Sequence, residues 1–317
     1  MHGQGTVMSG AGLYEVIVIK VGGSLITDKT RQGSVREEDI DRIAAVIGRN
    51  LAAISAQVII ILGGGSVGHF AAKQLAVDQG VPHCELAGLH RMAGAMYALK
   101  NRFAESLARR DIAALALQET SYIVARADGG ITLHDMALRH VLALRMVPIA
   151  SGGLVFDEAR GVRPLNGDLI PLALDPAVFK IRRVVMLTDV PGVVGSDGAV
   201  IRTLDEASAS RMARLDPAPG SIDVTGGMDV KVKAALALAR RGIPTVICSG
   251  KMLDDRGFLD AVDGEPSAGT LAGFNSVVEQ SRSGAVGTKQ VKATYAYPRP
   301  KQGADNDSPS YRWSRSR

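Results

Sequence analysis

The sequence is poor in aromatic residues and in cysteine. Only 4% of its 317 residues are aromatic, and its two cysteines, Cys84 and Cys248, lie far apart. Two distant cysteines without a CxxC spacing indicate neither a disulfide framework nor a redox motif, and they favour a reducing compartment. No apolar run approaches the roughly 18–20 residues that span a bilayer, and residues 1–12 lack the basic and apolar regions of a secretory signal. We therefore expect a cytoplasmic protein without a membrane partner.

The net charge of +5 belongs to one end of the chain. Residues 276–317 hold eight basic and three acidic residues, which leaves 29 of each in residues 1–275. Because that body is electrically balanced, the charge gives no general indication of nucleic-acid binding. Beyond residue 276 the apolar periodicity gives way to Ser, Pro, Gly, Arg and Lys, which predicts a disordered basic tail.

Valine- and isoleucine-rich runs alternate with helical Ala/Leu/Arg segments, which predicts an α/β fold with a mostly parallel sheet covered on both faces. The strands are predicted at 15–20, 57–62, 112–117, 146–150, 183–188 and 244–248. Helices are predicted at 37–54, 69–79, 86–109, 134–144, 205–214 and 228–241. The pattern restarts near residues 176–180, which divides the chain into two halves, preceded by a flexible segment at 1–12.

Three glycine-rich turns follow apolar runs or precede a helix. They contain Gly22-Gly23, Gly63-Gly64-Gly65 and Gly226-Gly227, and Lys20 and Lys231 flank the first and the third. Glycine lets backbone N–H groups approach a ligand closely, and successive amides in a turn form an anion-binding concavity. Together the three turns indicate a site that handles a polyphosphate.

The sequence does not support either of two common nucleotide-binding motifs, the dinucleotide fingerprint and the P-loop. Gly63-x-Gly65-x-x-Gly68 has the spacing of the dinucleotide fingerprint, which also needs an acidic residue ending a second strand roughly 20 residues later. Asp78 lies inside a predicted helix, and Glu85 follows no strand-like run. No GxxxxGK[ST] P-loop occurs either. A dinucleotide oxidoreductase is therefore the weakest of the alternatives.

Five motifs resemble those of the amino-acid kinase superfamily, in its order, over roughly residues 14–272. They are Lys20-Val-Gly-Gly-Ser-Leu-Ile-Thr-Asp-Lys29, Gly63-Gly-Gly-Ser-Val-Gly-His69, Asn166-Gly-Asp168, Leu187-Thr-Asp-Val-Pro-Gly-Val193 and Asp223-Val-Thr-Gly-Gly-Met-Asp-Val-Lys231. Within the superfamily they are most similar to isopentenyl phosphate kinases and fosfomycin kinases. The resemblance implies an αβα three-layer sandwich, usually a homodimer. It places an acceptor-binding half at 13–178 and an ATP-binding half at 179–275.

The resemblance also implies roles for individual residues. Lys20 and Lys231 would contact the transferring phosphoryl group, Asp168 would orient both lysines by charge-assisted hydrogen bonds, and Lys29 would reach the phosphates as well. His69 would hold the phosphate or phosphonate of the acceptor. The remaining acceptor-side residues are Gly64, Gly65, Ser66, Gly68, Gly152 and Gly153. The ATP-side residues are Gly22, Gly23, Ser24, Thr188, Asp189, Gly192, Thr225, Gly226, Gly227 and Met228.

We therefore expect an ATP-dependent kinase of a small phosphate-bearing acceptor, such as an isoprenoid monophosphate. Mg²⁺ is expected to arrive with ATP, because no histidine spacing indicates a metal site built by the protein. A fosfomycin-type phosphonate kinase, a carboxylate kinase and a non-catalytic nucleotide-binding storage or sensor protein stay open as alternatives. Met92 and Met96 lie on a predicted helix where the family lodges the acceptor tail, and they belong either to the helix core or to that pocket.

Overall fold

The computed structural model describes residues 13–28, 31–81, 83–212, 227–265 and 269–273. The predicted flexible segment 1–12 and basic tail 276–317 lie outside these residues, as do Lys29, Thr225 and Gly226. The described residues form twelve strands: β1 Tyr14–Val21, β2 Gln57–Leu62, β3 Ala114–Ala116, β4 Ile123–Ala125, β5 Ile131–Leu133, β6 Val147–Ser151, β7 Gly153–Asp157, β8 Gly161–Leu165, β9 Phe179–Thr188, β10 Thr203–Leu204, β11 Thr245–Ser249 and β12 Thr270–Ala272. Their α-helices are α1 Gly23–Ile26, α2 Glu37–Asn50, α3 Gly65–Gln74, α4 Leu89–Ala108, α5 Met136–Ala143, α6 Ile170–Ala173, α7 Glu206–Ala209, α8 Gly227–Ala239 and α9 Asp255–Asp263.

A large, mostly parallel sheet organises the fold, as predicted. Its eight strands run in the order β10-β12-β11-β9-β1-β2-β6-β3, with β1 pairing in parallel with both β2 and β9. The antiparallel pair is β11 with β12. Each of the six predicted strands is present. Five are apolar runs buried inside the sheet, as in parallel sheets covered on both faces, and β3 is a short, partly exposed edge strand.

Helices cover both faces of this sheet and give three layers. Val16 and Val18 of β1 belong to a core shared with α5 and α8, whereas Ile17 and Ile19 belong to a core shared with α2, α4 and α9. Successive side chains of a strand point to opposite faces, so β1 contributes to both cores. The predicted αβα architecture is confirmed.

A second sheet was not predicted from the sequence. It has four strands in the order β5-β4-β7-β8 and contributes to the same core as α5. Two of its strands, β4 and β5, are only three residues long. The parallel partner of β4 is β7, some 30 residues away along the chain. Such short strands show no alternation of their own and form because a distant partner completes their hydrogen bonds.

The helices differ from the prediction most clearly at α3, α7 and α9. α3 begins at Gly65 and not at residue 69, because Gly65 itself adopts a positive φ of 46° and starts the helix inside the glycine run. α7 ends at Ala209 and not at residue 214, and its start is fixed by a capping box in which the Asp205 side chain accepts from the Ser208 N–H. α9 was not predicted at all, although Asp254 caps it by accepting from the Gly257 N–H. No described helix is long and apolar enough to cross a bilayer.

Candidate active site

The ends of five neighbouring parallel strands meet at one edge of the large sheet. The strands are β11, β9, β1, β2 and β6. The residue after several of these strands extends the ladder by donating its N–H to a neighbouring strand: Gly22 to the Leu187 oxygen at 2.8 Å, Gly63 to Val21 at 2.8 Å, Gly152 to Leu62 at 3.0 Å and Gly250 to Thr188 at 2.7 Å. In open α/β sheets ligands bind outside the carboxyl ends of the strands.

At this edge Asp168 lies between two lysines that come from opposite ends of the sequence. Its Oδ1 is 2.8 Å from the Nζ of Lys20, near the end of β1. Lys231, on the second turn of α8, places its Nζ 3.1 Å and 3.2 Å from the two oxygens of the same carboxylate. All three side chains are at least nine-tenths buried. The structure therefore brings together three of the four residues predicted as catalytic, and the fourth, Lys29, lies outside the described residues.

The charges of this centre shift its pKa values. Burial alone raises the pKa of Asp168, but the ammonium groups of Lys20 and Lys231 outweigh it and lower that pKa from 3.8 to about 2. Burial, together with repulsion from Lys20, lowers the pKa of Lys231 to about 8, against the opposing attraction of Asp168. The Asp168 carboxylate is therefore ionised at neutral pH, and with both lysines protonated the centre carries a net charge of +1.

Asn166 holds Asp168 in place, which the sequence did not predict. Its side-chain Oδ1 accepts a hydrogen bond of 2.9 Å from the backbone N–H of Asp168 and caps the short 3₁₀ turn at 167–169. An Asn side chain commonly accepts a hydrogen bond from the backbone N–H two residues later in the chain. The Asn166-Gly167-Asp168 spacing therefore contained a signal for this turn.

The glycine loops pack backbone against backbone. A Cβ on Gly23 would lie 2.3 Å from the backbone N of Gly65, and one on Gly63 would lie 2.5 Å from the N of Gly23. A Cβ on Gly152 would lie 2.9 Å from the N of Gly167. These distances are shorter than any real Cβ contact, so the glycines are required for the loops to approach one another as well as for any ligand to approach them.

Thr27 joins the first loop to the second, and sequence reasoning missed it. This fully buried side chain donates to the Gly23 oxygen at 2.8 Å and accepts from the Ser66 N–H at 2.9 Å. The Ser66 hydroxyl donates in turn to the Ser34 oxygen at 3.1 Å. Ser66 was predicted to bind the acceptor, but its amide and hydroxyl are hydrogen-bonded inside the protein, and the residue is 1% exposed.

Three of the predicted acceptor-side glycines, Gly64, Gly68 and Gly153, lie against Met96. The sulfur of Met96 lies 3.5 Å from where a Cβ on Gly64 would stand and 3.2 Å from the corresponding point on Gly68, and its Cγ lies 3.3 Å from that of Gly153. Met96 is 1% exposed and packs in the core on this face of the sheet, as Met92 does in a neighbouring cluster. Both methionines therefore belong to the helix core in this structure.

His69 lies on the second turn of α3, not at its beginning. Because α3 begins at Gly65, His69 is its fifth residue, and the side chain is half-buried. The first turn of α3 contains no acidic residue.

The predicted ATP-side residues that the structure describes lie along β1, β9 and α8. Gly22 and Gly23 lead into α1, which contains Ser24, and Gly227 and Met228 begin α8. Thr188 ends β9 and donates to the Asp189 carboxylate at 3.3 Å. A Cβ on Gly192 would lie 2.7 Å from the Thr270 hydroxyl, so Gly192 packs against the start of β12.

A cleft of about 280 Å³ opens beside the ends of β9 and β11. Its lining includes Pro191, Cys248, Met252 and Gly269, whereas neither Lys20, Lys231 nor Asp168 lines it. Among the described residues, no group of three or more His, Cys, Asp or Glu side chains is arranged to hold a metal ion.

Comparison with known proteins identifies the family. The Amino acid kinase family matches residues 15–249, a span that contains the whole lysine–aspartate centre. The chain belongs to this family. Isopentenyl phosphate kinase of Methanocaldococcus jannaschii is 30% identical to it over 226 residues, covering 68% of this chain and 84% of that protein. Glutamate 5-kinase of Halorhodospira halophila is 32% identical over 273 residues, covering 80% of this chain and 66% of that protein.

The fold of this chain is also that of a solved isopentenyl phosphate kinase. An X-ray structure of isopentenyl phosphate kinase superposes with a TM-score of 0.62 at 23% identity, covering 81% of this chain and 99% of that chain. The family resemblance predicted from the five motifs, and its proximity to the isopentenyl phosphate kinases, are confirmed.

Proposed function

We propose that this protein is an ATP-dependent kinase that transfers the γ-phosphoryl group to a small acceptor that already bears a phosphate. The observation that carries the proposal is the buried arrangement of Lys20, Asp168 and Lys231 at the carboxyl edge of the sheet. A family member that served only to store or sense a nucleotide would have little reason to keep two buried ammonium groups on one carboxylate.

Phosphoryl transfer depends on positioning and on charge neutralisation. Lys20 approaches from the first glycine loop and Lys231 from α8, so the two ammonium groups would contact the transferring phosphoryl group while Asp168 orients both. The net charge of +1 in the centre favours the negative charge that the transition state spreads over the phosphoryl oxygens. Lys29, outside the described residues, would add a further cation.

The nucleotide would bind over residues 179–275, with Gly22, Gly23 and Ser24 at the boundary between the two halves. Thr188 ends β9, and Asp189 and Gly192 follow it. Thr225 and Gly226 precede α8 in the sequence, and Gly227 and Met228 begin that helix, whose positive dipole end favours phosphate oxygens. Mg²⁺ would enter on the ATP phosphates and neutralise their charge. In the centre, the carboxylate of Asp168 already pairs with both lysines, which supports a metal carried by ATP.

The acceptor would bind within residues 13–178, next to α3. Gly64, Gly65, Gly68, Gly152 and Gly153 form its glycine-rich wall, and His69 would donate a hydrogen bond to the acceptor's phosphate. The positive end of the α3 dipole favours an anion at this place, and the first turn of α3 holds no acidic side chain that would repel it. The match to isopentenyl phosphate kinase over 84% of its length makes an isoprenoid-type monophosphate the first acceptor to test, with a fosfomycin-like phosphonate second.

A carboxylate kinase is the second candidate, because the glutamate 5-kinase match covers 80% of this chain. The two functions differ in their product: a carboxylate acceptor gives an acyl phosphate, which hydroxylamine traps, and a phosphate acceptor gives a diphosphate, which it does not. Such a kinase would not need His69 for its acceptor.

The deciding experiment measures ADP release from Mg-ATP with isopentenyl phosphate, fosfomycin, glutamate and N-acetylglutamate. We expect kcat/KM for the phosphate acceptor to exceed that of each carboxylate by at least about a hundredfold, because a site built to hydrogen-bond one ligand group rejects ligands that lack that group by still larger factors. Lys20→Ala serves as the control that the measured activity belongs to this protein. A preference for glutamate, with trapped acyl phosphate, would overturn the proposal.

A further inference from the structure

A second ion pair, remote from the lysine–aspartate centre, is completely buried. Lys100 of α4 is 0% exposed, and Glu119, in the 3₁₀ turn at 119–121, is 1% exposed. The Nζ of Lys100 donates to the Oε2 of Glu119 and to the Leu117 oxygen, each at 2.5 Å. The other carboxylate oxygen, Oε1, accepts from the backbone N–H of Ser151 at 2.6 Å. Burying two charges costs free energy. The hydrogen bond to Ser151 connects this buried pair to the end of β6.

Ser151 begins the turn at which the chain passes from the large sheet to the small one. It ends β6, Gly152 donates to Leu62 across the strand ends, and Gly153 begins β7 with a φ of 150°. A Cβ on Gly152 would lie 2.9 Å from the N of Gly167, the residue directly before Asp168 in the chain. The backbone of this turn therefore lies in contact with the segment that positions the two catalytic lysines.

The opposite side of the same turn packs on α4. Met96 and Lys100 are separated by four residues, so both side chains lie on one face of the helix. Met96 touches the turn directly, with its Cγ 3.3 Å from where a Cβ on Gly153 would stand. Lys100 reaches it through Glu119 and its hydrogen bond to Ser151. The helix thus sets the place of the turn by one packing contact and one hydrogen-bonded chain.

We propose that Lys100 and Glu119 are positioning residues for the acceptor site: they hold the Ser151 N–H and thereby place the Gly152–Gly153 backbone against the acceptor. The inference rests on the proposed function, since it assigns that turn to the acceptor. Neither side chain touches the substrate, and both act through the position of the turn.

The turn at Ser151 is held by the Glu119 oxygen that accepts the hydrogen bond from the Ser151 N–H, more than by the charge of Glu119. Burial lowers the pKa of Lys100 and raises that of Glu119, while their mutual attraction opposes both shifts. An ionic pair and a neutral pair both keep Oε1 available to the Ser151 N–H. A variant that removes both charges but retains a carbonyl oxygen at residue 119 should therefore keep the turn in place.

Two double variants separate positioning from general stability. Lys100→Met with Glu119→Gln removes both charges and leaves an amide oxygen for Ser151, and Lys100→Met with Glu119→Met removes both charges and the oxygen. Both double variants lose the hydrogen bond from residue 100 to the Leu117 oxygen. They therefore differ mainly in whether residue 119 has an oxygen that can accept the hydrogen bond from the Ser151 N–H. Single variants are avoided because they leave one buried charge unpaired.

We expect the Gln variant to keep the KM for the phosphate acceptor within about threefold of wild type and the Met variant to raise it about tenfold, as when a buried N–H loses its partner. The KM for ATP should stay within about twofold in both, since the nucleotide binds elsewhere. A deliberately destabilising control is Arg163→Met, which leaves the buried Asp157 of the small sheet without its cation and keeps the hydrogen bond between Glu119 and Ser151. It should destabilise the protein without changing the ratio of the two KM values.

Amide hydrogen exchange of the peptide containing Ser151 and Gly152 gives a readout that needs no activity. We expect exchange about tenfold faster in the Met double variant than in the Gln double variant, because the local opening that frees the amide becomes easier. Equal exchange in the two variants, or a KM for ATP that rises in step with that for the acceptor, would overturn the inference. Absence of phosphate-acceptor activity in the wild-type protein would overturn the proposed function instead, whatever the exchange rates.

Discussion

Replacing Asp168 by Asn is the most direct test of the lysine–aspartate centre. The substitution keeps the size of the side chain and removes the charge shared by Lys20 and Lys231. At separations of 2.8 and 3.1 Å, each attraction amounts to about 5–6 kcal/mol at an effective dielectric constant of about 20, before desolvation is subtracted. The lowered pKa of about 2 corresponds to a smaller net contribution of the ionised carboxylate to the free energy of unfolding, about 2 kcal/mol.

We expect Asp168→Asn to lower the free energy of unfolding by more than this net contribution, because the neutral amide would leave two buried ammonium groups facing each other without a counter-ion. Removing one partner of a buried pair typically costs about 3–5 kcal/mol, and we expect a decrease of that size in the free energy of unfolding. Activity should fall about a hundredfold, since neither lysine would be oriented. Urea unfolding at pH 7 and steady-state kinetics measure the two effects.

Acid sensitivity and a surface control complete this experiment. Because the folded-state pKa of Asp168 is lowered, its stabilisation is fully present above pH 3.8 and is lost as the pH falls towards 2, a loss that Asp168→Asn should lack. Asp255→Asn breaks the exposed pair with Arg49 and should lower the free energy of unfolding far less than Asp168→Asn does. If Asp168→Asn unfolds within about 1 kcal/mol of wild type and keeps its kcat, the electrostatic account of the centre is refuted.

Four further predictions concern single residues. Lys20→Ala and Lys231→Ala should each lower kcat about a hundredfold, measured by ADP release, and a near wild-type kcat in either would remove that lysine from the transition state. His69→Ala should lower kcat/KM for the acceptor about ten- to a hundredfold with little change in ATP affinity by calorimetry, and His69→Gln should recover part of the loss; equal weakening of ATP binding would move His69 to the nucleotide side. The profile of kcat/KM for ATP against pH should decline above about pH 8 as Lys231 loses its proton, whereas a profile level to about pH 9.5 would contradict the lowered pKa. Thr27→Val should lower the free energy of unfolding by about 2 kcal/mol in urea, because the Ser66 N–H loses its partner, while Thr27→Ser retains the oxygen and most of the stability.

The sequence alone determined the layers of the fold and the members of the lysine–aspartate centre. The buried strands were visible because each is a continuous apolar run, a signal that lies entirely within about six to ten neighbouring residues. Lys20, Asp168 and Lys231 were found because each stands in a motif whose glycines are close to it in the chain. The roles of these residues, the division into an acceptor half and an ATP half, and the homodimer stay predictions.

Tertiary structure alone decided the features that depend on residues far apart in the chain. At the start of α3, the backbone N–H of Ser66 donates to the hydroxyl of Thr27, 39 residues away in the chain. The strand β4 exists because β7 completes its hydrogen bonds, and three residues contain no pattern to show it. A lysine in a helix looks like any surface lysine until the fold brings Glu119 to Lys100 and both beneath the turn at Ser151. Local patterns report backbone preference and burial, whereas pairing between distant side chains is decided only when the chain has closed on itself.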